Sequence, residues 1–203
     1  MKIVGIAGGS GSGKTTLAER LHKAFPGSSL LYFDNYYRHH PDMTPEQRAA
    51  LNYDHPDALE TELLVAHLKQ LKAGQTVDSP VYDFTTHLRS AESRKVSPCR
   101  LLIVEGILLF HSQEIRDLLD WRIYVDADAD IRLLRRVLRD SVERGRDIGE
   151  IARQYLDSVR PMHLQFVEPT KAFADRIARD FMAPAAWKDI CDDVQRLLTG
   201  TDA

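Results

Sequence analysis

Apolar positions along this chain follow two periods that take turns. The short apolar runs at Ile3, Val4, Ile6, Ala7, at Ser29 to Phe33, Leu101 to Val104 and Arg122 to Val125 read as strands buried on both faces, and Arg176 to Phe181 reads as a fifth. Between them the spacing changes to three and four. Leu17, Leu21 and Phe25 fall on one face of a helix over Thr16 to Phe25, and helical patterns recur over Glu60 to Lys72, Gln113 to Leu119, Ile131 to Glu143, Ile151 to Val159 and Trp187 to Leu198. Strands alternating with helices predict an α/β fold with a parallel sheet covered on both faces. Residues 75–98 break the rhythm: Pro80 and Pro98 bracket part of a stretch in which Val77 to Phe84 is strand-like, so a small β insertion is expected there. No repeat or linker interrupts the pattern, and residues 1–203 are expected to form one domain with a frayed end at Thr199 to Ala203.

Composition narrows the function classes. With 27 basic and 30 acidic side chains the net charge is -3, so no global basic field argues for nucleic acid. The two cysteines, Cys99 and Cys191, lack metal-site or disulfide-framework spacing. No secretory leader and no run of membrane-spanning length is present, so a cytoplasmic protein that does not act on membranes is expected.

The most specific chemistry lies at residues 8–15, GGSGSGKT, which fit the phosphate-loop pattern G-x-x-x-x-G-K-(S/T). A strand precedes the segment and a helix follows it. Phosphate is held there by backbone N–H groups converging at a helix N-terminus, and glycines let the backbone approach the anion. Gly8, Gly9, Ser10, Gly11, Ser12, Gly13, Lys14, Thr15 and Thr16 form the expected nucleotide-binding stretch, with Lys14 reaching the β- and γ-phosphates and the Thr15 hydroxyl on Mg2+.

Other residues turn a phosphate cradle into a candidate catalyst. Asp34 follows the second strand, at the sheet edge where such folds bind ligands, and its carboxylate suits a general base close to a metal. An isolated aspartate there is more often a turn or cap residue; the neighbouring motifs favour chemistry. Glu105 ends the run Leu101 to Val104, as a metal-facing acid after a core strand does. Arg132, Arg136 and Arg139 share a helical face within Ile131 to Asp147, and Arg144 and Arg146 flank Gly145, the arrangement of a lid over a phosphoryl group. For Arg132 and Arg135 a solvated helix face is the favoured expectation. Aromatic and polar residues mix at 52–57 and 80–89, where rings can stack on a planar base or serve as turn and core residues.

Taken in order, these motifs resemble those of uridine kinases, also called uridine-cytidine kinases. The resemblance rests on GGSGSGKT, Asp34-Asn35-Tyr36-Tyr37-Arg38, Asn52 to Ala58, Pro80 to Phe84, Glu105-Gly106-Ile107-Leu108, Arg139-Asp140, Glu143 to Asp147, Pro161-Met162-His163 and Phe166 to Lys171. It implies a P-loop kinase fold with a five-stranded parallel sheet, a β-hairpin at 75–98 and a lid at 132–160. It also implies transfer of the ATP γ-phosphate to the 5′-hydroxyl of uridine or cytidine, in a homotetramer. Carried onto this chain, Asp34 is the base, Lys14, Arg139 and Arg144 act on the transferring phosphate, and Thr15, Asp34 and Glu105 serve Mg2+. Asp54 holds the ribose, while Tyr37, Tyr53, Tyr82, Phe84, His87, Arg136, Arg146 and Gln154 line the nucleoside site. The segment Arg176 to Trp187 departs from the family pattern, which leaves ATP and GTP both open as donors. A phosphoribulokinase-like or pantothenate kinase-like enzyme is the alternative. A nucleotide switch is disfavoured because the base-reading pattern N-K-x-D is absent.

Overall fold

The computed structural model describes residues 1–142 and 145–200. Seven strands appear in chain order: β1 Lys2–Ala7, β2 Ser29–Tyr32, β3 Val77–Asp83, β4 Leu88–Val96, β5 Leu101–Glu105, β6 Trp121–Val125 and β7 Arg176–Ala178. Five of them form one parallel sheet in the order β2-β5-β1-β6-β7, while β3 and β4 pair as a separate antiparallel hairpin. The helices are α1 Lys14–Ala24, α2 Pro45–Ala49, α3 Thr61–Lys72, α4 Gln113–Leu118, α5 Ala129–Val142, α6 Ile148–Gln154, α7 Arg160–Met162 and α8 Pro184–Thr199.

The alternation of side chains along each strand divides the core in two. Ile3, Ala7, Leu102, Val104 and Tyr124 belong to one cluster, and Val4, Ile6, Leu101, Ile103, Ile123 and Val125 to the other. The first is covered from α3 and α4, the second from α1 and α8. Burial on both faces explains why β1 and β5 are continuous apolar runs and why they lie in the sheet interior. No helix among the described residues is long and apolar enough to cross a membrane.

Two expectations need adjustment, and one helix was not expected. The helix expected over 151–159 begins at Ile148 and runs on as wide turns, Tyr155–Val159 and His163–Val167, on either side of α7. Pro161 lacks the N–H that would bond the carbonyl four residues back, and the helix widens where Arg160 N–H reaches Tyr155 O instead. The strand expected over 176–181 stops at Ala178, because Ala183 N–H bonds Asp180 O in a turn that swings Phe181 into the core. The short helix α2 went unread, although the Thr44 and Gln47 capping box that starts it is present in the sequence.

Candidate active site

The loop between β1 and α1 is shaped by glycines. Gly13 caps α1 in the left-handed conformation, with φ 99°, and its carbonyl accepts from Leu17 N at 3.0 Å. Gly11, with φ 78°, lies against α5 so closely that a Cβ would collide with the Arg132 carbonyl. Ser12 N donates to Gly9 O at 3.0 Å and closes the loop. Thr15 Oγ1 donates to Glu105 Oε1 at 2.9 Å, and Lys14 Nζ lies 3.9 Å from Glu105 Oε2. Thus the end of β5 and the start of α1 meet at a lysine, a hydroxyl and a carboxylate.

Two cavities open from this point. The larger, about 670 Å³, runs along Gly11, Gly13, Thr15, Thr16, Glu105 and Arg135. The smaller, about 240 Å³, is lined by Tyr37, Tyr53, Asp54, Tyr82, His87, Arg136, Arg146 and Gln154. Lys14, Asp34, Phe84 and Arg139 line both. Asp34 is placed at this junction by the tight turn Phe33–Tyr36 that follows β2. The geometry therefore joins an anion cradle to an aromatic chamber through one carboxylate and two cations.

The chamber walls come from distant segments. Tyr37 packs against Tyr53 and Tyr82 with centroids 5.2 and 5.1 Å apart, Tyr82 against Phe84 at 5.3 Å, and Tyr53 stacks on His87 at 4.8 Å and 15°. His87 sits in the hairpin turn with φ 56°, the left-handed region that β-branched and bulky residues seldom enter. Two residues that the sequence reading passed over fix this wall. Asn35 Oδ1 accepts from Tyr82 N at 3.2 Å, and buried Arg48 donates to Thr86 O at 3.0 Å. Asn35 lies in the tight turn Phe33–Tyr36 and Arg48 in α2, and only their side-chain partners reveal the role.

Burial sets the electrostatics. Glu105 is pushed up to about 7 by burial, with Asp34 adding to the rise and Lys14 and Thr15 opposing it. Asp54 is raised by burial against the pull of Arg136, and the Arg136 guanidinium is lowered chiefly by burial. Asp34 Oδ1 and Glu105 Oε2 are buried and have no hydrogen-bond partner among the described residues. Together with the Thr15 hydroxyl they form an all-oxygen donor set, which suits a hard divalent cation completed by phosphate oxygens.

The arginines divide differently from expectation. Arg132 is no solvated residue: it is 8% exposed, donates to Ala127 O at 3.0 Å and lies 3.0 Å from His163 Nε2. Arg135 is exposed yet donates to Ser12 O at 3.3 Å, so it touches the loop as well. Arg139 Nε donates to Asp140 Oδ1 at 2.8 Å, and Arg146 Nη1 donates to Gln154 Oε1 at 2.8 Å. Asp140, fully buried among Arg136, Arg139 and Arg146, is a hub that the Arg139-Asp140 motif alone does not reveal. Its burial was unreadable from an amphipathic pattern. Arg144 lies outside the described residues.

With this geometry in hand, comparison with known proteins adds a lineage. Residues 3–182 match the model of the Phosphoribulokinase / Uridine kinase family. The chain is 48% identical over 177 residues to the uridine kinase of Brevibacillus brevis, covering 86% of this chain and 83% of that one, and 49% identical over the same shares to that of Ligilactobacillus salivarius. Among solved structures, a putative fructose transport system kinase from Silicibacter matches with TM-score 0.68 at 23% identity, over 87% of this chain and 88% of that one. Phosphoribulokinase from Rhodobacter spheroides matches with TM-score 0.64 at 16% identity, over 88% and 69%. At these identities the solved structures speak to the α/β fold alone.

Proposed function

Because this chain belongs to the phosphoribulokinase / uridine kinase family, we propose that it transfers the γ-phosphate of ATP to the 5′-hydroxyl of uridine. One observation carries the reading: a phosphate loop and an aromatic, acid-bearing chamber meet at Asp34 and Lys14. In this reading the larger cavity takes the donor and the smaller one the nucleoside.

Asp34 accepts the proton as the 5′-oxygen attacks the γ-phosphorus, and the bond to the β-bridging oxygen breaks to release ADP. Loop N–H groups and Lys14 hold the β- and γ-phosphates, while Arg139, and Arg144 from the same segment, neutralise charge spreading over the transferring group. Thr15, Glu105 and Asp34 would hold Mg2+, which when bound supplies charge neutralisation across the β- and γ-oxygens. Asp54 takes the ribose hydroxyls and the base lies among Tyr37, Tyr53, Tyr82, Phe84 and His87. Arg136, Arg146 and Gln154 wall the chamber from the lid side, with Arg136 buried against it.

The same reading extends to cytidine as second acceptor, to GTP as a candidate second donor, and to a cytoplasmic homotetramer. ADP formation by the purified protein with ATP and Mg2+, measured against uridine, cytidine, thymidine, purine nucleosides, ribulose 5-phosphate and pantothenate, tests it. Turnover dependent on uridine is expected. Turnover only with ribulose 5-phosphate or pantothenate, or without any acceptor, overturns it.

A further inference from the structure

The phosphate loop carries one side chain that faces away from the donor. Ser10 sits between Gly9 and Gly11, yet it lines the smaller cavity and not the larger. Its Oγ accepts a hydrogen bond from Arg136 Nη1 at 3.0 Å. Arg136 is 7% exposed, and its Nη2 donates to Gln154 Oε1 at 2.9 Å. Its Nε, 3.5 Å from Asp140 Oδ2, makes no hydrogen bond among the described residues. A guanidinium has five N–H donors, and a buried one with few acceptors is oriented by each acceptor that it has.

We infer that Ser10 is a positioning residue for the acceptor: its hydroxyl holds the Arg136 guanidinium in place over the nucleoside chamber. The inference rests on reading the smaller cavity as the acceptor site. The phosphate cradle needs only the backbone N–H of Ser10, so the side chain is available for a second task. The residue is not among those with positive φ, so its replacement by alanine leaves the loop conformation accessible. Without the hydroxyl, Arg136 Nη1 loses its acceptor on the loop side, and among the described residues the guanidinium keeps its hydrogen bond to Gln154 and the charges of Asp140 and Asp54.

The expectation runs against the usual reading of a phosphate-loop mutant. In steady-state kinetics of wild type, Ser10→Ala and Ser10→Thr with ATP and uridine each varied, Ser10→Ala raises the uridine KM about tenfold, the size of one charge-assisted hydrogen bond. The ATP KM stays within about twofold, kcat falls less than the uridine KM rises, and Ser10→Thr, which keeps the hydroxyl, restores the uridine KM. A rise confined to the ATP KM, or no change in either, overturns the inference. Wild-type protein inactive on uridine sinks the proposed reaction instead. The contact is then read without substrate from the thermal midpoints of Ser10→Ala, Arg136→Lys and the double variant. Non-additive shifts support the inference; additive ones overturn it.

Discussion

The two cavities that meet at Asp34 are built on opposite principles. The donor side is organised around eight consecutive residues, Gly8 to Thr15, whose backbone does the holding and whose glycines keep side chains away, with Thr16, Glu105 and Arg135 among the residues that complete its wall. The acceptor side is assembled from stretches spread from Ser10 to Gln154, and it is made of side chains: rings, the buried Asp54 and three arginines of which Arg136 is buried. A backbone cradle recognises any triphosphate placed in it, whereas a side-chain chamber distinguishes its occupant by the polar atoms it leaves unpaired for the wrong one. Substitutions on the acceptor side should therefore change what is phosphorylated, those on the donor side whether anything is.

The largest effect is expected at the junction, where the comparison collapses. Asp34→Asn keeps the shape and loses basicity, so turnover should fall a hundredfold or more while ATP binding, followed by calorimetry, holds within about threefold. Near-wild-type turnover would remove Asp34 from the base role. Next comes a pure acceptor effect. Asp54 is 9% exposed in a chamber whose cation Arg136 it opposes. Asp54→Ala should lower kcat/KM for uridine by about thirtyfold, the equivalent of roughly 2 kcal/mol of charge-assisted hydrogen bonding, with the ATP KM unchanged. An equal loss in the ATP parameters would show that the two sides are not separable. Smaller again is the effect at His87, whose imidazole can donate or accept and so can meet either the carbonyl of uracil or the amino group of cytosine. Uridine and cytidine should both be phosphorylated, with kcat/KM within about tenfold of each other, and thymidine and purine nucleosides poorly. Removing the stacked ring by His87→Ala should cost both substrates about fivefold. Activity confined to one pyrimidine refutes the dual acceptance.

The same contrast explains what could be read from the sequence. The phosphate loop was legible because its chemistry is contiguous and its glycines are demanded by backbone geometry. The sheet was legible because β1 and β5 are buried on both faces and show it as near-continuous apolar runs, with β6 buried over Ile123 to Val125. The chamber was legible only as motifs. All nine residues assigned to it from the family resemblance line one cavity in the structure, but nothing in their spacing says that Tyr53 stacks on His87. Arg132 and Asp140 were misjudged for a physical reason. A helix with a charged face looks solvated until other groups cover that face: here the phosphate loop packs on Arg132, while Arg136, Arg139 and Arg146 surround Asp140. The short β7 was missed in length because a turn formed by backbone atoms, Ala183 to Asp180, ends it.

A last effect lies beneath the donor loop and concerns pH and stability instead of turnover. His163 Nε2 lies 3.0 Å from Arg132 Nη2 and 3.2 Å from Glu168 Oε2, with its Cε1 close under Gly9. An arginine can only donate and a carboxylate can only accept, so Arg132 favours a bare Nε2 while Glu168 favours a proton on it. Burial and the Arg132 charge push this histidine down to about 4 although Glu168 and Asp126 pull the other way. The folded value lies below the unfolded one of 6.5, so its contribution to stability is present above pH 6.5 and is lost as the pH falls toward 4. Between pH 7 and pH 5 the wild type should therefore lose on the order of 1 to 2 kcal/mol that His163→Gln, which keeps an acceptor for Arg132 and cannot titrate, does not lose. Chemical denaturation at pH 7, 6 and 5 measures the two slopes. Parallel slopes would mean that the histidine is not held neutral by Arg132. Diverging slopes, accompanied by an ATP KM that follows pH in the wild type and a uridine KM that does not, would tie this buried ring to the donor side alone.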